Sequence, residues 1–132
     1  MRMNFFLLGT ASEATIVALL AARSRIFKER QTDDPTLTLG RLLDQLIIYC
    51  SDQAHSSVDK AALIVGCRLR KISTDADCVM HGEEVQAAIA EDRAQGLIPF
   101  FLVATLGTTP TVTLSLLFNR IDRDSFFALY SF

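Results

Sequence analysis

Three short strings hold the residues of this 132-residue chain whose types and spacing could do chemistry. The first is Gly9-Thr10-Ala11-Ser12-Glu13. Thr10 and Glu13 have capping-box spacing, in which the hydroxyl accepts from the Glu13 N–H and the carboxylate reaches back. Thr10, Ala11 and Ser12 then surround a helix start. Its free N–H groups and positive dipole end can hold a phosphate without any lysine. An ordinary capped helix uses the same residues and binds nothing.

The second string is Ser51-Asp52-Gln53-Ala54-His55-Ser56-Ser57. A histidine in a loop can stack on a planar ligand, shuttle a proton or bind a metal. It can also be satisfied by its polar neighbours alone. Metal is disfavoured, because the other histidine, His81, stands in a different loop without ligand spacing around it. A thiol dyad of Cys50 with His55 is weak, since Cys50 ends an apolar run. The third string is Gly107-Thr108-Thr109-Pro110, whose hydroxyls can bond the edge of a ligand or merely form a turn. No P-loop, GxGxxG, HExxH or Ser-His-Asp order occurs.

The elements that must position these strings alternate. Residues 12–30 predict a helix apolar on nearly every face, hence buried, stopped at Thr32-Asp33-Asp34-Pro35. Residues 36–44 predict a shorter helix with Leu37, Leu42 and Leu43 inward. Leu46–Cys50 is a short apolar run, the mark of a strand covered on both faces. Val58, Ala61, Ala62 and Val65 recur at helical spacing up to Gly66. Residues 68–72 suggest a strand nearer an edge. Glu83–Gln95 predicts a helix with Val85, Ala88 and Ile89 on one face and Gly96 as its stop. Residues 100–106 are the clearest buried strand. Such alternation means an α/β fold with a mainly parallel sheet and helices on both faces. About three strands are few for a free-standing domain of this kind.

Composition narrows the partners. Thirteen Lys+Arg against fifteen Asp+Glu give a net charge of -2, so bulk charge attracts neither nucleic acid nor an anionic membrane. Hydrophobic residues make up 50% and the mean hydropathy is +0.29, high for so short a chain. That suggests part of a larger core. The uncharged run between Arg93 and Arg120 is broken by Gly96, Pro99, Gly107 and Pro110, and fits two strands and a turn better than a membrane span. The apolar start is too short for a signal peptide. Cys50, Cys67 and Cys78 make an odd count without a CxxC pair, which fits a reducing compartment. A cytoplasmic protein is expected.

The three strings, in this order, resemble the pyridoxal-phosphate-dependent group II amino-acid decarboxylases, most of all the aromatic-L-amino-acid and histidine decarboxylases of animals. Thr10-Ala11-Ser12-Glu13-Ala14-Thr15, the stretch from Tyr49 to Val58, and Gly96-Leu97-Ile98-Pro99-Phe100-Phe101 with Ala104–Thr109 carry the resemblance. It runs from about Gly9 to Thr111. It implies residues 1–111 as a partial cofactor-binding large domain of the aspartate-aminotransferase type, incomplete in its sheet, and 112–132 as a divergent tail. The tail reads either as a short strand and helix or as sequence without fixed structure. The resemblance further implies pyridoxal 5'-phosphate as cofactor, with Ala11 and Ser12, and Thr10 beside them, on its phosphate. His55 would stack on its ring and contact the substrate, and Thr109 would lie alongside. It implies a homodimer that removes the carboxylate of an aromatic amino acid as CO₂.

The departures are chemical. The family's Schiff-base lysine lies in an Asn-Pro-His-Lys-Trp type of motif, and an aspartate pairs with its cofactor's ring nitrogen. This chain has Lys28, Lys60 and Lys71, none in such a context, and no tryptophan. The expectation is a truncated member, inactive alone. The alternatives are a non-catalytic partner of a full-length subunit, and a chain that does not fold stably.

Overall fold

The structure is a computed structural model that describes residues 11–105 and 127–131. Its elements follow in the order α1 (Ala11–Asp33), α2 (Leu39–Leu43), β1 (Leu46–Ser51), α3 (Ser56–Val65), β2 (Arg68–Ile72), α4 (Gly82–Ala94), β3 (Ile98–Thr105) and β4 (Phe127–Ser131). The described strands form one parallel sheet in the order β2-β1-β3-β4. The first three are the strands expected from the sequence. β4 lies in the tail that the residues left open.

β1 is buried from Leu46 through Cys50, which requires cover on both faces. Successive side chains of a strand point to opposite faces. Leu46, Ile48 and Cys50 accordingly join Phe101, Val103, Leu19 and the buried face of α3 in one cluster. Ile47 and Tyr49 join Leu102, Ile72 and the Val85, Ala88 and Ile89 face of α4 in the other. β2 lies at one edge, with Arg68 and Lys71 exposed.

Two expectations need correction. α1 is not buried all round. Thr15, Leu19, Ala22 and Ile26 form its one buried stripe, whereas Val17 and Ala21 are exposed. The spacing of four, three and four is that of a single helix face. Small alanines blur this pattern, since they read as apolar yet lose little by facing water. β3 also begins two residues earlier than expected, at Ile98. Pro99 pairs with Ile47 and Phe101 with Ile48, so Phe100 is an extra residue in the ladder. Proline has no N–H to give a central strand and is tolerated at such a bulge. The bulge sends Phe100 and Phe101 into the same cluster, with tilted rings 6.0 Å apart.

Helix ends are closed locally. Gly66 ends α3 at φ +78° and Gly96 follows α4 at φ +82°, a left-handed conformation that favours glycine. Arg23 Nη1 of α1 donates to the Val65 carbonyl at 2.8 Å, which caps α3 from outside.

One polar group is buried between β1 and α4. The Tyr49 hydroxyl donates to Asp92 Oδ2 at 2.7 Å, and Arg70 Nη1 of β2 donates to Asp92 Oδ1 at 2.6 Å. Arg70 Nη2 reaches Glu91 at 2.6 Å. Removing Asp92 strands a buried hydroxyl and frees a half-buried guanidinium. Asp92→Ala is expected to cost about 3 kcal/mol in urea unfolding, against about 1 kcal/mol for Tyr49→Phe. Equal costs would refute the shared role of Asp92. Burial, followed by the Asp92 bond, pushes the Tyr49 hydroxyl well above its ordinary value. A raised folded-state pKa gives stability that is full below the unfolded value near pH 10 and is lost as pH rises beyond it. Phenolate absorbance from Tyr49 is expected to appear only as the fold melts in alkali. A phenolate step assigned to Tyr49 by comparison with Tyr49→Phe, ahead of the loss of ellipticity, would contradict this.

Candidate functional site

The topology itself selects a place for a ligand. β1 passes the chain to β2 through α3 on one face of the sheet, and β2 returns it to β3 through α4 on the other. β2 and β4 therefore flank the central pair from opposite sides. Open α/β sheets bind ligands at such a switch point, in the crevice outside the carboxyl ends of the strands. Here the crevice lies beyond Ser51 of β1 and Thr105 of β3. The loop after Ser51 carries His55.

Arg23 of α1 sits against Val65, at the C-terminal end of α3. Ala11 and Ser12 are the first residues of α1. The first N–H groups of a helix have no partner within it and face outward. Thr10 and Thr109 lie outside the described residues, as does the whole 107–110 string.

His55 is the N-cap of α3, at φ -60° and ψ 146°. Its Nδ1 accepts the Ser57 N–H at 3.1 Å, and its carbonyl accepts the Val58 N–H at 2.9 Å. An accepting Nδ1 carries no proton, so the ring's proton sits on Nε2. The ring is exposed. The cap thus spends one nitrogen on the fold, and the exposed ring has no further hydrogen-bond partner among the described residues. The residues around Asp59 add to this end of α3. Asp59 lies in the first turn, where a carboxylate suits the helix dipole, and pairs with Lys71 Nζ at 3.0 Å. That bond raises the Lys71 ammonium above its ordinary range.

The neighbouring candidates separate from His55. Cys50 is buried, and that burial pushes its thiol up to about 11, away from thiolate chemistry. His81 Nε2 lies 2.6 Å from Asp75 Oδ2, in the loop before α4. The Val79 N–H, then His81, hold the Asp75 carboxyl below its usual range. Among the described residues no group of three His, Cys, Asp or Glu could hold a metal ion. No described helix is long and apolar enough to cross a membrane.

Sequence reading gave no role to Asp52 and passed over Thr74. Asp52 accepts from the Thr74 hydroxyl at 2.8 Å and from its N–H at 3.4 Å. The two are 22 residues apart, and only the pairing of Ser51 with Ile72 reveals them as neighbours.

Comparison with known proteins identifies the family. The family model described as the pyridoxal-dependent decarboxylase conserved domain matches residues 6–117. The aromatic-L-amino-acid decarboxylase of Sus scrofa is 54% identical over 101 residues, which are 76% of this chain and 21% of that protein. The histidine decarboxylase of Drosophila melanogaster is 50% identical over 100 residues, 76% of this chain and 12% of that protein. Among solved structures, Oryza sativa TDC with PLP and tryptamine superposes with a TM-score of 0.65 at 34% identity, over 77% of this chain and 21% of its own. Catharanthus roseus tryptophan decarboxylase in complex with L-tryptophan gives 0.73 at 26% identity, over 93% and 26%. The chain spans about a fifth of the length of the aromatic-L-amino-acid decarboxylase it matches. The chain belongs to the pyridoxal-dependent decarboxylase family.

Proposed function

We propose that this chain forms the phosphate- and ring-binding portion of a pyridoxal-phosphate-dependent decarboxylase of aromatic L-amino acids. The carrying observation is His55, fixed as the cap of α3 in the loop that leaves β1 at the switch point. These groups fit the cofactor: a helix start suits a phosphate, and an exposed imidazole suits a planar ring. Ala11 and Ser12 hold the phosphate through the first turn of α1. His55 covers the ring and offers Nε2–H to the substrate. Thr109 lies beside the ring. When bound, the cofactor supplies the electron sink through which the carboxylate is lost as CO₂.

Covalent attachment is a separate matter. Lys28 lies in the C-terminal half of α1, Lys60 is exposed on α3, and Lys71 is committed to Asp59. None is placed to form the family's lysine linkage. The 132-residue chain by itself therefore binds the cofactor without a covalent bond and does not turn over. Its unpaired thiols favour the cytoplasm.

A second reading rests on α3, where Leu63 is 83% and Ile64 64% exposed. Exposed apolar neighbours of this kind suit a contact with another subunit. The chain would then associate with a complete family member or with its own copy in a homodimer. Co-expression with a complete subunit followed by size exclusion tests this; separate elution of the two species counts against it.

The primary test is a pyridoxal-phosphate titration of the purified chain followed by borohydride reduction and mass analysis. Saturable binding, competition by inorganic phosphate, no stoichiometric adduct and no CO₂ release above free cofactor are expected. Turnover by the 132-residue chain would overturn its assignment as inactive alone. His55→Asn, which keeps a capping acceptor, is expected to weaken cofactor binding about tenfold through loss of the ring contact. His55→Ala should match it in affinity and lose about 1 kcal/mol of stability besides, through the missing cap. Affinity unchanged in both variants would remove His55 from the site.

A further inference from the structure

We propose that Asp52 is a positioning residue for His55: by clamping Thr74 it pins the β1–α3 loop to the exit of β2, and so fixes where the His55 ring stands. The inference rests on the reading above that His55 contacts the cofactor ring.

The clamp continues the sheet. Ser51 is the last residue of β1 and pairs with Ile72. The Asp52 N–H then donates to the Ile72 carbonyl at 2.9 Å, one step beyond the strand. There the Asp52 carboxylate spans the gap between loops and takes both the hydroxyl and the N–H of Thr74. The Thr74 hydroxyl is the main reason the Asp52 carboxyl is held below its usual range. Between Asp52 and His55 the backbone has little freedom. Ser51 Oγ accepts the Gln53 N–H at 2.9 Å, and the Ser51 carbonyl accepts the Ala54 N–H at 3.0 Å. A tight turn thus transmits the position of Asp52 to His55. Beyond His55 the Ser57 N–H fixes the ring through Nδ1. His55 is held between a clamp and a cap.

Asp52 and Thr74 join surface loops, and Asp52 is exposed. Exposed contacts contribute little to global stability. Their loss should disturb the loop and leave the fold, so a positioning role separates from a structural one.

The test uses nitrogen-detected NMR of the two imidazoles in the labelled 132-residue chain, with His81→Asn to assign His55. Wild type is expected to show His55 with its proton on Nε2 and a slowly exchanging Ser57 amide. Asp52→Ala and Thr74→Val should mix the two tautomers and speed Ser57 exchange by about fivefold, roughly the loss of one hydrogen bond. Thr74→Ser, which keeps the hydroxyl, should restore both. His55 nitrogens and Ser57 exchange unchanged in Asp52→Ala and Thr74→Val would overturn the proposal. Loss of the signature in Thr74→Ser would do so too, because the hydroxyl would not be the agent. If Asp52→Ala fails to fold, the Thr74 pair still decides. A parallel pyridoxal-phosphate titration isolates the underlying reading. A several-fold weaker affinity for the cofactor, at unchanged affinity for inorganic phosphate, supports both. A displaced His55 with unchanged cofactor affinity supports the clamp and overturns the ring contact.

Discussion

Burial of β1 on both faces is the constraint on which the remaining structure depends. A strand whose side chains all avoid water must be central and must have helices above and below it. Parallel neighbours supply that arrangement, because each connection crosses one face and brings a helix with it. α1 and α3 close one side and α4 the other. The order of crossings then places β1 and β3 together at the middle of the sheet. Their carboxyl ends form a switch point, where the connections to the flanking strands leave in opposite directions. The site is thus a consequence of hydrophobic cover, produced before any chemical residue is considered.

The same constraint makes the two faces unequal. The α1 and α3 side holds the larger apolar cluster and takes up the bulge at Phe100, whose ring packs in that cluster beside Phe101. The α4 side carries the Tyr49, Asp92 and Arg70 group. A buried carboxylate is costly unless its oxygens are occupied, and here both are. The group joins three elements far apart in sequence, so it specifies which helix covers which strand. Packing area alone, being nondirectional, does not make that choice.

Much of this was legible from residue types. Continuous apolar runs marked β1 and β3, and partial alternation with three basic residues marked β2 as an edge. Gly66 and Gly96 marked helix ends, which their left-handed backbone explains. α1 was misjudged because alanine is neutral to exposure, so a run such as Ala18-Leu19-Leu20-Ala21-Ala22 does not reveal which face is inward. The start of β3 was misplaced because proline ordinarily argues against a central strand, and only the bulge accommodates Pro99. His55 was legible as a candidate, but its role as a cap was not: histidine is not among the preferred capping residues. Asp52 was hidden for a different reason. Its partner is distant in sequence, and the strand register that joins them is a tertiary fact.

The cap on α3 also limits the chemistry open to His55. A ring whose Nδ1 holds a backbone N–H cannot take a second proton there without releasing the helix end. Stacking and donation from Nε2–H require no such release. The cap thus accords with the proposed role of His55, to hold and orient. Covalent chemistry needs a lysine with a free amine at the crevice, and Lys71, the lysine at the outgoing end of β2, is held by Asp59. Binding and orientation are accordingly the roles that the proposed function gives these residues.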